Sequence, residues 1–545
     1  MALKGVTSLQ APLLRFLIGL LVVMARISDY VLLPLLSIFR ASMSKKTVPP
    51  IEDRLMLMSA MEIAEKIRTR ELTSENVVTA FIKRLRQINP ILNAVTDERY
   101  RAAIEDAQKV DALIASYAGN GAQLEELKRT KPFLGVPVTT KNALAVKDLG
   151  NEAGLYVRRG LKAKEDSAVM ASVRASGAIP LAVTNTPELC LWLESSNKLF
   201  GTTCNPYDTR RTCGGSSGGE GAILSACGSP IGVGSDIAGS IRIPSFYNGL
   251  FGLKPSRHAM NMTGHYPLAK DILAPLLTAG PMCKYACDLR PLLSQIVGPE
   301  SSRRMALHER PNLADLKVYF MEDTNCPLTP ASHAELRRCT LEVARHLASF
   351  TNSKASLLPQ GKTIRKGLAS VTQIYLSYFA KADIPSAAEE LTMLKGKISP
   401  SRELVKWFLG MSKHNFPAIL ITILEKAIVG QNDTPVTNYY YNLSKAMEQE
   451  LDALLESGIL VTPTVPDVAP YHDMTLLYPG ILGTTGIWNI LGFPAVSVPL
   501  GLNSRGVPLG VTVVAGKMRD NVCCEVALEL EKRFGGWVPP CEVTV

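Results

Sequence analysis

The sequence predicts an α/β fold, with strands and helices alternating around a mixed or parallel sheet that is covered by helices on both faces. Three observations carry this. Short apolar runs with the composition of buried strands recur: "FLGVPVTT" (Phe133–Thr140), "AIPLAVTN" (Ala178–Asn185), "PIGVGSDI" (Pro230–Ile237) and "GILVTPTVP" (Gly458–Pro466). Near the end, "PAVSVPLG" (Pro494–Gly501) and "LGVTVVAG" (Leu509–Gly516) are joined by a short Gly-containing turn. Helical apolar periodicity fills stretches between the strands, and there is no internal repeat or low-complexity block. With 46% hydrophobic and 20% charged residues the bulk is globular. A length of 545 residues permits several domains, but large α/β enzymes often keep one core.

Residues 1–50 stand apart. "FLIGLLVVMA" (Phe16–Ala25) and "YVLLPLLSIF" (Tyr30–Phe39) are apolar runs separated by Arg26 and Asp29. A single span over 16–39 reaches across a hydrocarbon layer of about 30 Å, with Arg26 and Asp29 spaced to pair. A cleaved signal ending at Val23-Met24-Ala25, a helical hairpin in one leaflet and a soluble core helix are the competing readings. Lys4, Arg15, Arg26, Arg40, Lys45 and Lys46 face only Asp29, a net +5 in the first 48 residues and half of the chain's +10. Basic charge beside an apolar run suits an anionic membrane surface; elsewhere the charges are interspersed, so nucleic acid is not an expected partner. The expected organisation is an apolar anchor and basic linker over 1–50 and a catalytic domain over 51–545.

Ser59 and Glu62 form a capping box ahead of a helix carrying Ile63 and Ile67. A second helix starts near Thr73, carries Val77, Val78, Phe81, Ile82 and Leu85, and is expected to stop before Pro90. The strand Phe133–Thr140 ends at Lys141. Later, Pro417 divides Glu403–Gly430 into two short pieces, the second apolar nearly all round from Ala418 to Leu424. It fits a buried core helix and equally a helix pair dipping into one leaflet, with Lys406, Lys413, His414 and Lys426 at the headgroups. The eleven cysteines are scattered, without CxxC or a His/Cys cluster of zinc spacing, so no metal is expected.

The chemistry concentrates in "GGSSGGEGAILSACGSPIGVGSDIAGSIR", Gly214–Arg242, where nine of 29 residues are glycine. A phosphate role fails: there is no GxxxxGK, and Gly232-Val-Gly234 continues as Ser-Asp-Ile without a third glycine. Gly214–Gly218 formally matches GxSxG, but "NPYDTRRTC" before it is no apolar strand, and none of the seven histidines lies in a motif. A serine can instead be activated by a lysine, provided the amine is neutral through desolvation or neighbouring cations. Lys141, at the end of an apolar strand and followed by "NALAV", fits that role; it fits equally a lysine that snorkels out at a strand end.

The double motif of GGSSGG at 214–219 and Gly-Ser-Ile-Arg at 239–242 closely resembles the amidase signature family. The likeness extends to "LGVPVTTKNAL", "SSNKLFGTTCNPYD", "GLFGLKPS", "VTPTVPDVAP" and "GFPAVSVPLGLNSRGVPLGVTVVAG", and covers roughly residue 55 to the end. The resemblance implies a single large mixed, twisted β-sheet surrounded by helices. It implies Ser240 as nucleophile, Ser216 as a bridging serine on a cis peptide bond, and Lys141 as base. It places the oxyanion hole on the backbone N–H groups of Ile237, Ala238, Gly239 and Ser240, with Ser217, Asp236 and Arg242 in support. No metal or cofactor is implied. Ala238 departs from the family's usual glycine; at positive φ it would cost roughly 1–2 kcal/mol, and otherwise almost nothing.

Joined to the apolar N-terminus, these expectations describe a membrane-associated serine hydrolase that cleaves fatty acid amides through an acyl-enzyme. "LCLWLE" (Leu189–Glu194) lines an acyl channel or belongs to the core. The expected location is the endoplasmic reticulum, another internal membrane or a lipid droplet, held single-pass or monotopically, with a homodimer as the candidate assembly. The alternatives are an amidase of small polar amides, an amidotransferase subunit, and a lipid-binding relative impaired by Ala238.

Overall fold

The computed structural model describes residues 33–117, 119–428, 434–477 and 480–545. Its centre is an eleven-stranded mixed sheet. The strands are β1 (Val95–Glu98), β2 (Pro137–Lys141), β3 (Ile179–Thr184), β4 (Ile231–Asp236), β5 (Phe251–Lys254) and β6 (Thr278–Cys283). They continue with β7 (Lys317–Phe320), β8 (Ser356–Leu357), β9 (Gly458–Thr462), β10 (Ala495–Leu502) and β11 (Pro508–Ala515). Across the sheet they run β1-β3-β2-β4-β6-β5-β10-β11-β9-β7-β8. β2 is parallel to both β3 and β4, whereas β4 and β6, β5 and β6, and β10 and β11 are antiparallel. Every residue of β2, β3, β4, β5 and β6 is buried. That explains their near-continuous apolar runs, since a strand covered on both faces does not alternate.

Described helices begin with α1 (Leu33–Ala41), α2 (Ala60–Arg68) and α3 (Ser74–Leu92). Ser59 caps α2 by accepting from the Glu62 N–H at 3.0 Å. α3 does not stop before Pro90 but runs two residues past it. A proline this near the end removes few helical bonds. The last turn is held by buried Leu92, whose carbonyl accepts from the Cys204 N–H, and by Asn89 Oδ1, which accepts from the N–H groups of Ala94 and Val95 at 2.8 Å each.

The runs Phe16–Ala25 and Tyr30–Phe39 lie largely outside the described residues; only α1 belongs to the described chain. Among the described residues no helix is long and apolar enough to cross a membrane, so a single-pass anchor has no support in them. Contacts with the body begin early: the Lys46 N–H donates to Thr209 Oγ1, Val48 is buried, and Ile51 bridges to Val543.

Candidate active site

The site forms where three neighbouring strands end. β2 delivers Lys141 between β3 and β4, with only 1% of the residue exposed. Its Nζ lies 2.6 Å from Ser216 Oγ and 3.0 Å from Ser235 Oγ. Burial drives its pKa below the ordinary lysine value, against the opposing pull of Cys190 and Asp236. This is a desolvated amine, not a lysine snorkelling out at a strand end.

Ser216 stands on a turn ahead of the helix α4 (Gly218–Ser225), and the Gly215–Ser216 peptide bond is cis. A side chain at Gly215 would strike the Trp192 carbonyl at 2.6 Å, so the turn is pressed against the segment Leu189–Glu194. Ser217 ties this turn to the next. Its N–H donates to the Ser240 carbonyl at 3.1 Å, and its Oγ accepts from the Ser235 N–H at 3.3 Å.

Ser240 follows β4 in the tight turn before the helix α5 (Arg242–Tyr247). Asp236, at the end of β4, organises that turn. It accepts from the N–H groups of Gly239 at 2.7 Å and Ile241 at 3.1 Å, and pairs through both oxygens with Arg242. Arg242 also donates to the Thr485 carbonyl and to Asn489 Oδ1. Thr485 and Asn489 belong to the helix α8 (Ile481–Leu491). Burial alone would raise the Asp236 pKa, but the Arg242 charge and hydrogen bonds hold it at about 2. Gly239 has φ +123°, and a Cβ there would meet Thr485 Oγ1 at 2.2 Å. Ala238 is not among the residues with positive φ, so it imposes no left-handed strain.

The structure joins Lys141 to Ser216 directly, and joins the Ser216 and Ser240 turns through Ser217. No hydrogen bond among the described residues engages the Ser240 hydroxyl, and 9% of the residue is exposed. Of the four expected oxyanion donors, the Gly239 N–H is committed to Asp236. Those of Ile237, Ala238 and Ser240 carry no hydrogen bond to another described residue. The arrangement holds a hydroxyl beside backbone donors, with a buried amine one hydroxyl away.

Sequence reasoning missed four contributors. Ser235 and His265 lie behind Lys141: His265 Nε2 is 2.8 Å from Ser235 Oγ, and its Nδ1 is 2.7 Å from the Pro267 carbonyl. Thr485 and Asn489 brace the Ser240 turn through Arg242, from which they lie 243 and 247 residues away in sequence, and no spacing signal connects them to it. Ser235 was legible as part of the glycine–serine stretch, but His265 was not. Its turn reaches the site because Leu144 and His265 bridge across antiparallel segments.

The Glu403–Gly430 region forms α6 (Pro400–Phe408) and α7 (Phe416–Ile428). Val405, Phe408, Leu409 and Met411 are exposed, Phe408 by 74%. Ala418 is buried against Leu155, Leu189 and Leu391. His414 is not at the surface; it turns inward, with Nδ1 2.6 Å from Glu188 Oε1. The pair is thus anchored on the Glu188–Cys190 turn that adjoins Lys141.

The amidase family profile matches residues 76–524. The chain is 41% identical to fatty-acid amide hydrolase 2-A of Danio rerio over 507 residues, 91% of this chain and 92% of that protein. It is 39% identical to fatty-acid amide hydrolase 2 of Homo sapiens, again over 91% of this chain and 93% of the relative. A solved fatty acid amide hydrolase structure superposes with a TM-score of 0.70 at 20% identity, covering 90% of this chain and 87% of that one.

Proposed function

The chain belongs to the amidase signature family, shares its fold and is an amide-hydrolysing enzyme, and from that premise we propose that it cleaves long-chain fatty acid amides at a membrane surface, with Ser240 as nucleophile. One observation carries the chemistry: a buried lysine 2.6 Å from a serine whose turn is hydrogen-bonded to that of a second serine.

Neutral Lys141 takes a proton from Ser216, which takes one from Ser240 as its Oγ attacks the amide carbonyl. The resulting oxyanion meets the N–H groups of Ile237, Ala238 and Ser240, each such donor being worth about 3 kcal/mol. Collapse breaks the C–N bond. Ser216 gives its proton to the departing amine and recovers one from Lys141, leaving the acyl group on Ser240. Water then attacks the ester, its proton returns along the same path, and Ser240 and free acid are released. Substrate binding closes the Ser240–Ser216 contact, as catalytic hydrogen bonds commonly tighten only in the complex.

The substrate class is supported by the likeness to fatty-acid amide hydrolases and by the exposed apolar face of α6. Packing of Ala418 on Leu189 links that face to the turn beside Lys141. In this reading residues 1–50 are an anchor and linker, 51–545 are the catalytic domain, and α6 and α7 face the bilayer.

Mass spectrometry of enzyme exposed to a fluorophosphonate, or trapped with a long-chain amide, tests the assignment. The adduct belongs on Ser240 and is absent from Ser240→Ala; hydrolysis retained by Ser240→Ala removes the nucleophile. Lys141 acts as a base only when deprotonated, so kcat/KM rises with pH through a limb below the ordinary lysine range. Lys141→Ala abolishes that limb, and an unchanged profile argues against a titrating lysine.

A further inference from the structure

Lys141 touches two hydroxyls, and only one of them lies on the path to the nucleophile. A neutral amine has two N–H bonds and a single lone pair. If Ser235 donated its proton to Lys141, it would occupy the lone pair that must receive the proton of Ser216. The direction of the Ser235 hydrogen bond therefore decides whether the base is available.

That direction follows from a carbonyl. His265 Nδ1 is 2.7 Å from the Pro267 oxygen, which only accepts, so Nδ1 carries the proton. In the neutral ring Nε2 is then an acceptor, and at 2.8 Å it takes the proton of Ser235 Oγ. With its only proton directed at His265, Ser235 can only accept from Lys141. We propose that Ser235 and His265 are positioning residues for the base, fixing one N–H of Lys141 so that its lone pair is left for Ser216. The inference rests on the reading of Lys141 as base.

The surroundings support it. His265 is buried, and its turn is bound to the chain just beyond Lys141. The Tyr266 N–H donates to the Ala143 carbonyl at 2.8 Å, and the Ala145 N–H to the Gly264 carbonyl at 3.1 Å. A Cβ on Gly264, at φ +87°, would lie 2.6 Å from Ser167 Cα, so the turn is confined. Burial first, and a positive charge on Lys141 whenever that amine is protonated, depress the His265 pKa to about 3, and the ring stays neutral at working pH. A charged ring would donate from Nε2, turn the Ser235 proton onto Lys141 and block the lone pair. Protonated Lys141 can still donate to both serines, so the arrangement suits both halves of the cycle.

The test compares full-length Ser235→Ala, His265→Leu, the double variant and Lys141→Ala, using a long-chain primary fatty acid amide and a fluorophosphonate. Ser235→Ala and His265→Leu each lower kcat and the labelling rate of Ser240 by about tenfold to a hundredfold, with KM within about twofold and melting temperature maintained. Because the two residues act in series, the double variant is no slower than the more damaged single variant. Wild-type kcat in Ser235→Ala, a loss confined to KM or melting temperature, or multiplied losses in the double variant overturns the proposal. If His265→Leu does not fold, Ser235→Ala decides alone, since it deletes one buried oxygen. Inactive Lys141→Ala beside fully active Ser235→Ala defeats only the positioning role; active Lys141→Ala defeats the base assignment beneath it.

Discussion

Ala238 and Gly239 make opposite demands on neighbouring residues. Ala238 has a φ open to any side chain, so the difference from glycine is confined to a methyl group. Ala238→Gly should leave kcat/KM within about threefold and lower stability by about 0.5–1 kcal/mol through backbone entropy, read from turnover and chemical denaturation. Gly239→Ala must accommodate φ +123° and a Cβ against Thr485, and should lose both amide hydrolysis and fluorophosphonate labelling. Beneath them, Asp236 links the turn to acid stability. Its folded pKa of about 2 lies below the unfolded value of about 3.9, so its contribution of about 2–3 kcal/mol is complete above about pH 5 and lost as pH falls through 2. The stability difference between wild type and Asp236→Asn should therefore shrink by about that amount between pH 5 and pH 2; a constant difference would mean that the pairing with Arg242 does not depress the carboxyl. At this scale Lys141 was legible as the end of an apolar strand and Ser216 and Ser240 as hydroxyls in a glycine-rich stretch, while the roles expected of the three came from the resemblance to the amidase signature family. His265 was not, because its role depends on a carbonyl two residues on and a hydroxyl 30 residues away.

Among elements, the strands were legible in kind and less so in extent. "FLGVPVTT" begins as a turn, and only Pro137–Lys141 joins the sheet, because apolar content marks burial whether or not a residue pairs. Pro90 misled in the other direction: tertiary support from Leu92 and Asn89 carried α3 past it. For α6 and α7 the sequence left a buried helix and a membrane-facing pair open, and the structure has one buried face and one exposed apolar face. Ala418, Ile419 and His414 turn inward, whereas Val405, Phe408, Leu409 and Met411 turn out. Exposed large apolar side chains gathered at one place mark an interaction surface. Replacing Phe408 and Leu409 by glutamate should reduce sedimentation with anionic vesicles while leaving hydrolysis of a short, water-soluble amide unchanged. Equal binding by the variant would place the membrane contact elsewhere.

Across the whole molecule, six of the eleven sheet strands could be read (β2, β3, β4, β9, β10 and β11), but neither the other five nor the order of the sheet. β10 reaches back to pair with β5, Ala495 opposite Lys254, and no local signal specifies a partner so remote in sequence. A still longer stretch of sequence separates the two apolar features that the proposed function assigns to the membrane, the N-terminal segment and α6. One apolar attachment commonly gives reversible binding, whereas two on the same body act together, because engagement of the first raises the effective concentration of the second. A truncation after Ser44 separates them cleanly. It removes the contact of Arg40 with the exposed Asp473 and that of Arg210 with the Ala41 carbonyl, but keeps Lys46 on Thr209 and the buried Val48. An exposed ion pair contributes little, so the melting temperature should hold. The truncation alone and the Phe408→Glu/Leu409→Glu variant alone should each weaken vesicle partitioning by about tenfold or more, and their combination should leave the enzyme in the supernatant, still active on a soluble amide. If the truncated enzyme partitions like the full chain, α6 and α7 carry the attachment by themselves. If the combined variant still sediments with vesicles, a third surface holds the membrane and the two-point account is wrong.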